Sequence, residues 1–267
     1  MELRKQPAFL QYLSVDEQGQ YIAEYNGLSL QSVYQPIFTR SYDIAAVEAL
    51  VRITTRDKGN ILPDVFFTSP QYADSDKIHV ERLCRAIHIR NFANSTFSNL
   101  SLFLNMLPLV GEEFIDNDDQ YAHFFSKLDA LSIGHSQIVM ELLETHVDDE
   151  PRLCAITQKY LRNGMRVAID DFGTGASTKH RVDLVKPSII KFDRGLLERY
   201  MAGFREPLLY AIEVARNAQA QTVIEGIETA EQWVCMKALP IDYFQGFYLA
   251  RPQPCTLNNR IMQLITN

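Results

Sequence analysis

Six short apolar runs in the sequence are each followed directly by a polar or charged side chain that could take part in chemistry. These side chains are Glu48, Asn105, Glu141, the pair Asp170 and Asp171, Lys191 and Glu225. One acidic residue after an apolar run is often a helix cap, but capping does not explain six such positions in series. Carboxylates that converge on one point repel one another, and divalent cations are the simplest countercharge for them.

The donor types narrow the choice of metal and of reaction. Carboxylate and amide oxygens, with no histidine or cysteine at these positions, favour Mg²⁺ or Mn²⁺ over Zn²⁺. Adjacent Asp170 and Asp171 are suited to bridging two metal ions, which lie ~3.5–4 Å apart in two-metal hydrolases of phosphodiesters. Two interpretations of Lys191 stay open: a buried counter-ion for the aspartates, or a group that orients the attacking water or stabilises charge on a phosphate.

The elements that must position these groups can be predicted from hydrophobic patterning. Several runs, such as Ile138–Met140, are continuously apolar, which is typical of strands buried on both faces. We predict strands at Ser32–Phe38, Ala45–Ile53, Leu100–Leu104, Ile138–Leu142, Arg166–Ile169, Ser188–Lys191, Thr222–Ile224 and Tyr243–Gln245. We predict helices at Lys77–Asn94, Tyr121–Leu131, Pro151–Asn163, Phe204–Ala218, Thr229–Leu239 and Thr256–Ile265.

Eight strands with intervening helices predict an α/β fold, a (β/α)8 TIM-like barrel, with a doubly wound sheet as the alternative on pattern alone. A barrel gathers the carboxyl ends of its strands around one mouth, so the polar side chains would converge there. We assign residues 29–267 to the barrel and residues 1–28 to a short appended segment. Asp16–Gly19 in that segment is predicted to be a turn between two short strands.

Composition excludes several other classes of protein. The net charge of -7 argues against a protein that binds polymeric nucleic acid by neutralising many phosphates. The four cysteines form no C-x-x-C pair, so a zinc site or a disulfide framework is not expected. No apolar run approaches the ~20 residues that a membrane helix needs. We therefore expect a cytoplasmic protein without a membrane segment.

Six motifs occur in order along the chain and match the pattern of one known family. They are Gln35-Pro36-Ile37, Glu48-Ala49-Leu50-Val51-Arg52, Asp170-Asp171-Phe172-Gly173-Thr174-Gly175, Lys191-Phe192-Asp193-Arg194, Glu225-Gly226-Ile227-Glu228-Thr229 and Gln245-Gly246-Phe247. The set resembles the EAL domains, cyclic di-GMP phosphodiesterases named after the motif that begins at Glu48. The resemblance covers roughly residues 30 to 255, nearly the whole chain.

The resemblance implies a function and a set of roles. It implies hydrolysis of cyclic di-GMP to linear pGpG in an EAL-type barrel with two Mg²⁺ or Mn²⁺ ions, in a homodimer. The implied metal ligands are Glu48, Asn105, Glu141, Asp170, Asp171 and Glu225, and the implied catalytic residues are Glu48, Lys191 and Glu225. The residues implied to contact substrate are Gln35, Arg52 and Gln245, and those implied to support the site and its loop are Glu144 and Glu228.

Two other functions stay open on the sequence alone. One is a catalytically weak or inactive EAL module that acts as a cyclic di-GMP receptor or as a protein-docking domain. After Gly175 the chain has Ala176-Ser177-Thr178 where the family often has Tyr-Ser-Ser, which leaves the coupling of this loop to the site open. The other is an enolase-like enzyme with Lys191 as the base, which would not explain why Arg52, Glu228 and Gln245 occur in register.

Overall fold

The structure is a computed structural model that describes residues 11–55, 59–106, 118–142, 150–173 and 178–256. The strands are β1 Leu13–Val15, β2 Tyr21–Tyr25, β3 Leu28–Thr39, β4 Ile44–Thr55, β5 Gly59–Ile61, β6 Ser101–Met106, β7 Ile138–Leu142, β8 Arg166–Phe172, β9 Ile189–Phe192, β10 Gln221–Ile224 and β11 Tyr243–Phe244. The helices are α1 Pro63–Thr68, α2 Asp74–Ala93, α3 Asp118–Ala130, α4 Glu150–Arg162, α5 Lys179–Val185, α6 Arg194–Met201, α7 Glu206–Asn217 and α8 Ala230–Lys237.

All eight predicted strands are present, and five of the six predicted helices are confirmed. The sixth predicted helix, Thr256–Ile265, lies outside the described residues except for its first residue. The helices α1, α5 and α6, which have six to eight residues, were not predicted.

The chain divides into two compact units: Met1–Tyr34 with Ala49–Ser98 and Pro254–Asn267, and Gln35–Glu48 with Asn99–Gln253. In the first unit, β1, β2 and the start of β3 form an antiparallel ladder. The predicted turn between β1 and β2 is confirmed, and the Oδ1 atom of Asp16 accepts from two backbone N–H groups there. The boundary at residue 28 stays a prediction.

The second unit contains a closed ring of eight strands in the order β3–β11–β10–β9–β8–β7–β6–β4, and β3 also pairs with β4. The predicted barrel is therefore confirmed. The pairs from β6 to β11 are parallel, whereas β3 is antiparallel to β11, with Tyr243 opposite Thr39. A hairpin rather than a helix connects β3 to β4, and the N–H of Thr39 donates to Asp43 O at 2.8 Å. The first strand of the barrel therefore runs in the reverse direction.

An apolar layer fills the interior of this ring. Every one of the eight strands contributes one side chain to it: Ile37, Ala46, Phe103, Val139, Ala168, Ile189, Val223 and Tyr243. Side chains alternate between the two faces of a strand, so the next position that points into the barrel is two residues along. This layer is thus the platform on which the next set of inward-facing side chains lies.

Capping side chains fix where the helices after the functional strands begin. Asp193 caps α6 by accepting from the N–H of Gly195 at 2.8 Å, immediately after β9. Thr229 and Gln232 form a capping box at the start of α8, which follows β10. These contacts satisfy N–H groups that the first helical turn leaves without partners.

Two further expectations from composition concern the membrane and the cysteines. Among the described residues, no helix combines the length and the apolar character that crossing a bilayer requires. The thiols of Cys84, Cys154, Cys235 and Cys255 are free.

At Gly246 the loop after β11 lies directly against the backbone of the loop after β10. A Cβ at this position would lie 2.1 Å from Ile227 O and 2.3 Å from Ile227 N. The Ile227 N–H donates to Gln245 O at 3.1 Å and its carbonyl accepts from Tyr248 N–H at 3.0 Å, so the backbone cannot move aside without breaking these bonds. We expect Gly246→Ala to lower the free energy of unfolding by about 1–3 kcal/mol.

Gly134→Ala is the matched control, since its added Cβ would meet only the end of the Gln137 side chain, at 3.4 Å. We expect this exposed substitution to change the free energy of unfolding by less than about 0.5 kcal/mol. Urea denaturation measures both variants. Equal midpoints would contradict the close approach at Gly246.

Candidate active site

A polar layer lies directly on the apolar layer of the barrel. Each of its members is two residues beyond the apolar residue of the same strand, or two residues before it on the reversed β3: Gln35, Glu48, Asn105, Glu141, Asp170, Lys191, Glu225 and Gln245. One expectation needs correction. Glu48 does not end its strand, because β4 continues to Thr55, where it pairs with β5.

Lys191 is the centre of this layer, and its side chain is only 1% exposed. Its Nζ lies 2.7 Å from Glu141 Oε1, 2.7 Å from Glu225 Oε1, 2.9 Å from Asp170 Oδ1 and 3.4 Å from Glu48 Oε2. A buried ammonium with four carboxylates is well compensated, but the carboxylates are not, since one positive charge faces four groups that can be negative. The counter-ion interpretation of Lys191 therefore describes only part of the cluster.

Glu48 is held from two sides by neutral amides. The Nε2 atom of Gln245 donates to its Oε2 at 2.8 Å, and the Nδ2 atom of Asn105 donates to its Oε1 at 3.4 Å. One donor comes from β6, which is next to β4 in the ring, and the other from the residue after β11, which is two strands from β4 in the ring. They fix the orientation of the carboxylate, because each oxygen has its own donor.

A β-bulge explains how two consecutive aspartates can serve one site. Neighbouring residues of a regular strand point to opposite faces. The pairing of β8 with β9 shifts register between Ile169 and Phe172, and Asp171 has a φ of 50°. As a result, oxygens of Asp170, Asp171 and Glu225 all lie within 4.8 Å of one another. Such bulges are common next to active sites, where they redirect a side chain.

The pKa values of three glutamates and of Lys191 are shifted by burial and by their mutual charges. Burial, reinforced by the charges of Asp170 and Glu48, raises the pKa of Glu225 to about 8 although Lys191 opposes it. Burial also raises the pKa of Glu141 well above its usual range. Burial alone would raise the pKa of Glu48 as well, but Lys191 and the two amide donors lower it. Burial disfavours the charge of Lys191, yet the carboxylates together raise its pKa well above the usual value.

The residues present fit a divalent cation. Glu141 Oε2 is buried and has no hydrogen-bond partner among the described residues, and the same is true of Gln245 Oε1. Asp170, Asp171 and Glu225 offer carboxylate oxygens close enough to share an ion. All donors are oxygens, the type that Mg²⁺ and Mn²⁺ prefer. A hard divalent ion would supply the positive charge that Lys191 alone cannot.

The remaining predicted site residues have different surroundings. The Nε2 atom of Gln35 donates to Ala250 O at 3.3 Å. Arg52 belongs to the first unit, where its side chain is exposed and donates to Val51 O. Glu144 lies outside the described residues. Glu228 is at the surface, in an ion pair with Arg194. Sequence reasoning assigned no role to Arg194, and no sequence pattern indicates that it would meet Glu228.

Comparison with known proteins identifies relatives of the chain. A model of the EAL domain family matches residues 25–252. The chain is 27% identical over 225 residues to a probable cyclic di-GMP phosphodiesterase, PdeN, of Escherichia coli (strain K12). This stretch covers 83% of the chain and 43% of PdeN, so the chain spans under half the length of this relative.

Solved structures share the fold. The Bacillus subtilis YkuI protein, in complex with substrate c-di-GMP and calcium, matches with a TM-score of 0.72 at 23% identity, over 89% of this chain and 60% of that one. Klebsiella pneumoniae BlrP1, in a manganese and c-di-GMP complex, matches with a TM-score of 0.72 at 23% identity, over 84% and 56% of the two chains. At this identity the likeness shows the architecture of the barrel.

The raised pKa of Glu225 predicts that stability without metal depends on pH. Its folded pKa of about 8 lies above the ordinary value of 4.5, so the folded state binds more protons than the unfolded state between these values. Stability of the metal-free protein should therefore fall as pH rises from about 5 to 8, by up to about 1.4 kcal/mol per pH unit for one proton. Thermal unfolding in EDTA across this range measures the slope.

Mn²⁺ and Glu225→Gln are the two controls for this experiment. Saturating Mn²⁺ should reduce the decline, because it binds the ionised carboxylates of the folded protein only. Glu225→Gln should reduce the decline in EDTA, because the amide does not titrate. A stability profile that is flat in EDTA would show that the cluster carries no extra protons.

Proposed function

We propose, from the premise that the chain belongs to the EAL domain family, that it is a metal-dependent phosphodiesterase that hydrolyses cyclic di-GMP to linear pGpG. The observation that carries the proposal is the buried Lys191, which contacts four carboxylates within a closed eight-stranded ring. The names of relatives support the substrate, since PdeN is a probable cyclic di-GMP phosphodiesterase and the YkuI structure contains c-di-GMP.

Six residues of the polar layer and its bulge would hold the metal. They are Glu48, Asn105, Glu141, Asp170, Asp171 and Glu225. Two Mg²⁺ or Mn²⁺ ions at these oxygens would supply Lewis-acid stabilisation of phosphate charge and make water more acidic. The calcium and manganese in structures of relatives support a divalent ion here.

We assign three residues to the attacking water: Glu48, Lys191 and Glu225. The Nζ of Lys191 stays protonated at neutral pH because its pKa is raised, so it can donate to an oxygen of the water or of the phosphate. Gln245 keeps Glu48 in one orientation next to that ammonium. In the reaction the water oxygen bonds to phosphorus and gives up one proton, the bond from phosphorus to one ribose oxygen breaks, and that ribose oxygen takes up one proton and leaves as a hydroxyl.

Substrate binding is assigned to Gln35, Gln245 and Arg52. A guanidinium can hold two phosphate oxygens at once, which suits the exposed Arg52. Glu228 and Glu144 are assigned to support of the site and its loop. The homodimer, the cytoplasmic location and the absence of polymeric nucleic acid or membrane as partners stay predictions.

The alternative is a module that binds cyclic di-GMP, or docks a protein, without hydrolysis. The geometry of the polar layer favours the enzyme, because a receptor has no need for five carboxylates near one lysine. The two functions make opposite predictions for one assay, in which the purified protein is incubated with cyclic di-GMP and Mg²⁺ or Mn²⁺ and the products are separated.

Glu48→Gln tests the assignment at the level of one residue. The amide keeps the shape of the side chain but removes the charge that would face the metal and Lys191. We expect turnover of cyclic di-GMP to fall by about 100-fold or more, since loss of a ligand forfeits several kcal/mol of charge stabilisation. Chromatographic separation of linear pGpG from cyclic di-GMP measures the rate.

Glu213→Gln, on the exposed face of α7, is the matched control and should keep wild-type turnover. Wild-type activity in Glu48→Gln would refute the metal assignment. Binding of cyclic di-GMP by the wild type without any linear product would favour the receptor, and neither binding nor cleavage would point to protein docking.

A further inference from the structure

The turn between β10 and α8 carries a functional carboxylate at one end and a surface carboxylate at the other. Glu225 follows β10 and contacts Lys191, and Glu228 lies three residues later at the surface. Between them Gly226 has a φ of 73°, and Ile227 is fully buried. The turn therefore connects the contact of Glu225 with Lys191 to the ion pair of Glu228 with Arg194.

Arg194 lies across the outer side of this turn. A Cβ at Gly226 would be 2.5 Å from Arg194 Cγ and 2.9 Å from its Cδ, so the aliphatic part of the arginine packs directly on the glycine. Beyond the glycine, Nη1 lies 2.6 Å from Glu228 Oε1 and Nη2 lies 3.3 Å from Glu228 Oε2. The Nε atom lies 2.6 Å from Glu198 Oε1, on the same helix as the arginine.

The backbone at Arg194 is held by the strands that carry the other functional residues. Arg194 is the first residue of α6 and comes directly after the cap residue Asp193. Asp193 in turn follows Phe192, the last residue of β9, and is two positions after Lys191. The Asp193 N–H donates to Phe172 O, at the end of β8, and the Glu225 N–H donates to Phe192 O, both at 3.2 Å. Arg194 therefore extends from the exit of β9 onto the exit of β10.

We infer that Arg194 is a positioning residue: its contacts with Gly226 and Glu228 hold the turn after β10 so that the Glu225 carboxylate stays beside Lys191 and the two aspartates. The inference rests on the proposed function, because it assigns Glu225 to the metal. The guanidinium is needed for its planar, two-point contact with a carboxylate, which the single ammonium of lysine does not reproduce.

Positioning and global stability make different predictions for this arginine. Arg194 and Glu228 are 50% and 40% exposed, and ion pairs at such positions contribute little to the stability of a fold. A residue that only stabilised the fold would change the melting temperature of the metal-free protein. A residue that positions Glu225 changes the affinity for a metal ion while the metal-free melting temperature stays nearly constant.

Arg194→Met in the full chain tests the inference, because methionine retains an aliphatic side chain over Gly226 and lacks the guanidinium. Binding of Mn²⁺ is measured from the electron paramagnetic resonance signal of the free ion, beside thermal unfolding in EDTA. We expect the affinity for Mn²⁺ to fall about threefold to tenfold. Loss of a residue that hydrogen-bonds directly to a metal-ligating side chain typically lowers metal affinity ~10–100-fold, and Arg194 acts less directly. The melting temperature in EDTA should stay close to that of the wild type.

Three further variants serve as controls. Glu198→Gln removes the other ion pair of the same arginine and should leave the affinity for Mn²⁺ unchanged. Arg194→Lys should recover only part of the loss. The double variant Arg194→Met with Glu228→Gln should bind Mn²⁺ no more weakly than the weaker-binding single variant, because both changes remove the same contact.

The outcomes separate this inference from the proposed function. Wild-type affinity in Arg194→Met, with Mn²⁺ binding and cyclic di-GMP hydrolysis intact in the wild type, overturns the inference alone. A metal-free melting temperature that falls in proportion to the affinity also overturns it, in favour of a structural role. A wild type that neither binds Mn²⁺ nor hydrolyses cyclic di-GMP overturns the proposed function and the inference with it.

Discussion

The structure of the site depends on one buried charge. The ammonium of Lys191 contacts four carboxylates in a barrel interior where an uncompensated charge is very unfavourable. One lysine cannot neutralise all of them, and the cluster responds by holding protons, as the raised pKa values of Glu141 and Glu225 indicate. Under the proposed function, this imbalance accounts for an anionic substrate on a net acidic protein, because divalent cations that satisfy the carboxylates also attract a phosphate.

The barrel brings these groups together through a simple periodicity. Eight strands contribute one apolar side chain each to a filled layer, and the position two residues along contributes the polar layer on top of it. Reversal of β3 changes only the direction of counting, so Gln35 precedes Ile37 where Glu48 follows Ala46. Asp171 departs from this period, and the bulge in β8 is what makes a second consecutive aspartate available.

Contacts outside the polar layer determine how accurately it is held. Gln245 fixes Glu48, and its own backbone is fixed by the close approach of Gly246 to Ile227. Arg194 packs on Gly226 in the same turn. These residues carry no charge into the site, yet they contact the turn that follows Glu225. The chemistry of the site therefore depends on packing as much as on the identity of the carboxylates.

The sequence by itself determined the class of fold, the polar residues that follow the apolar runs and the type of metal that oxygen donors prefer, because hydrophobic period and donor chemistry are local properties. Only the tertiary structure decided the reversal of β3, the bulge at Asp171, the central position of Lys191 and the contact of Arg194 with Glu228. These features depend on strand pairing and on side chains that meet across long stretches of chain, and no local pattern encodes such pairings.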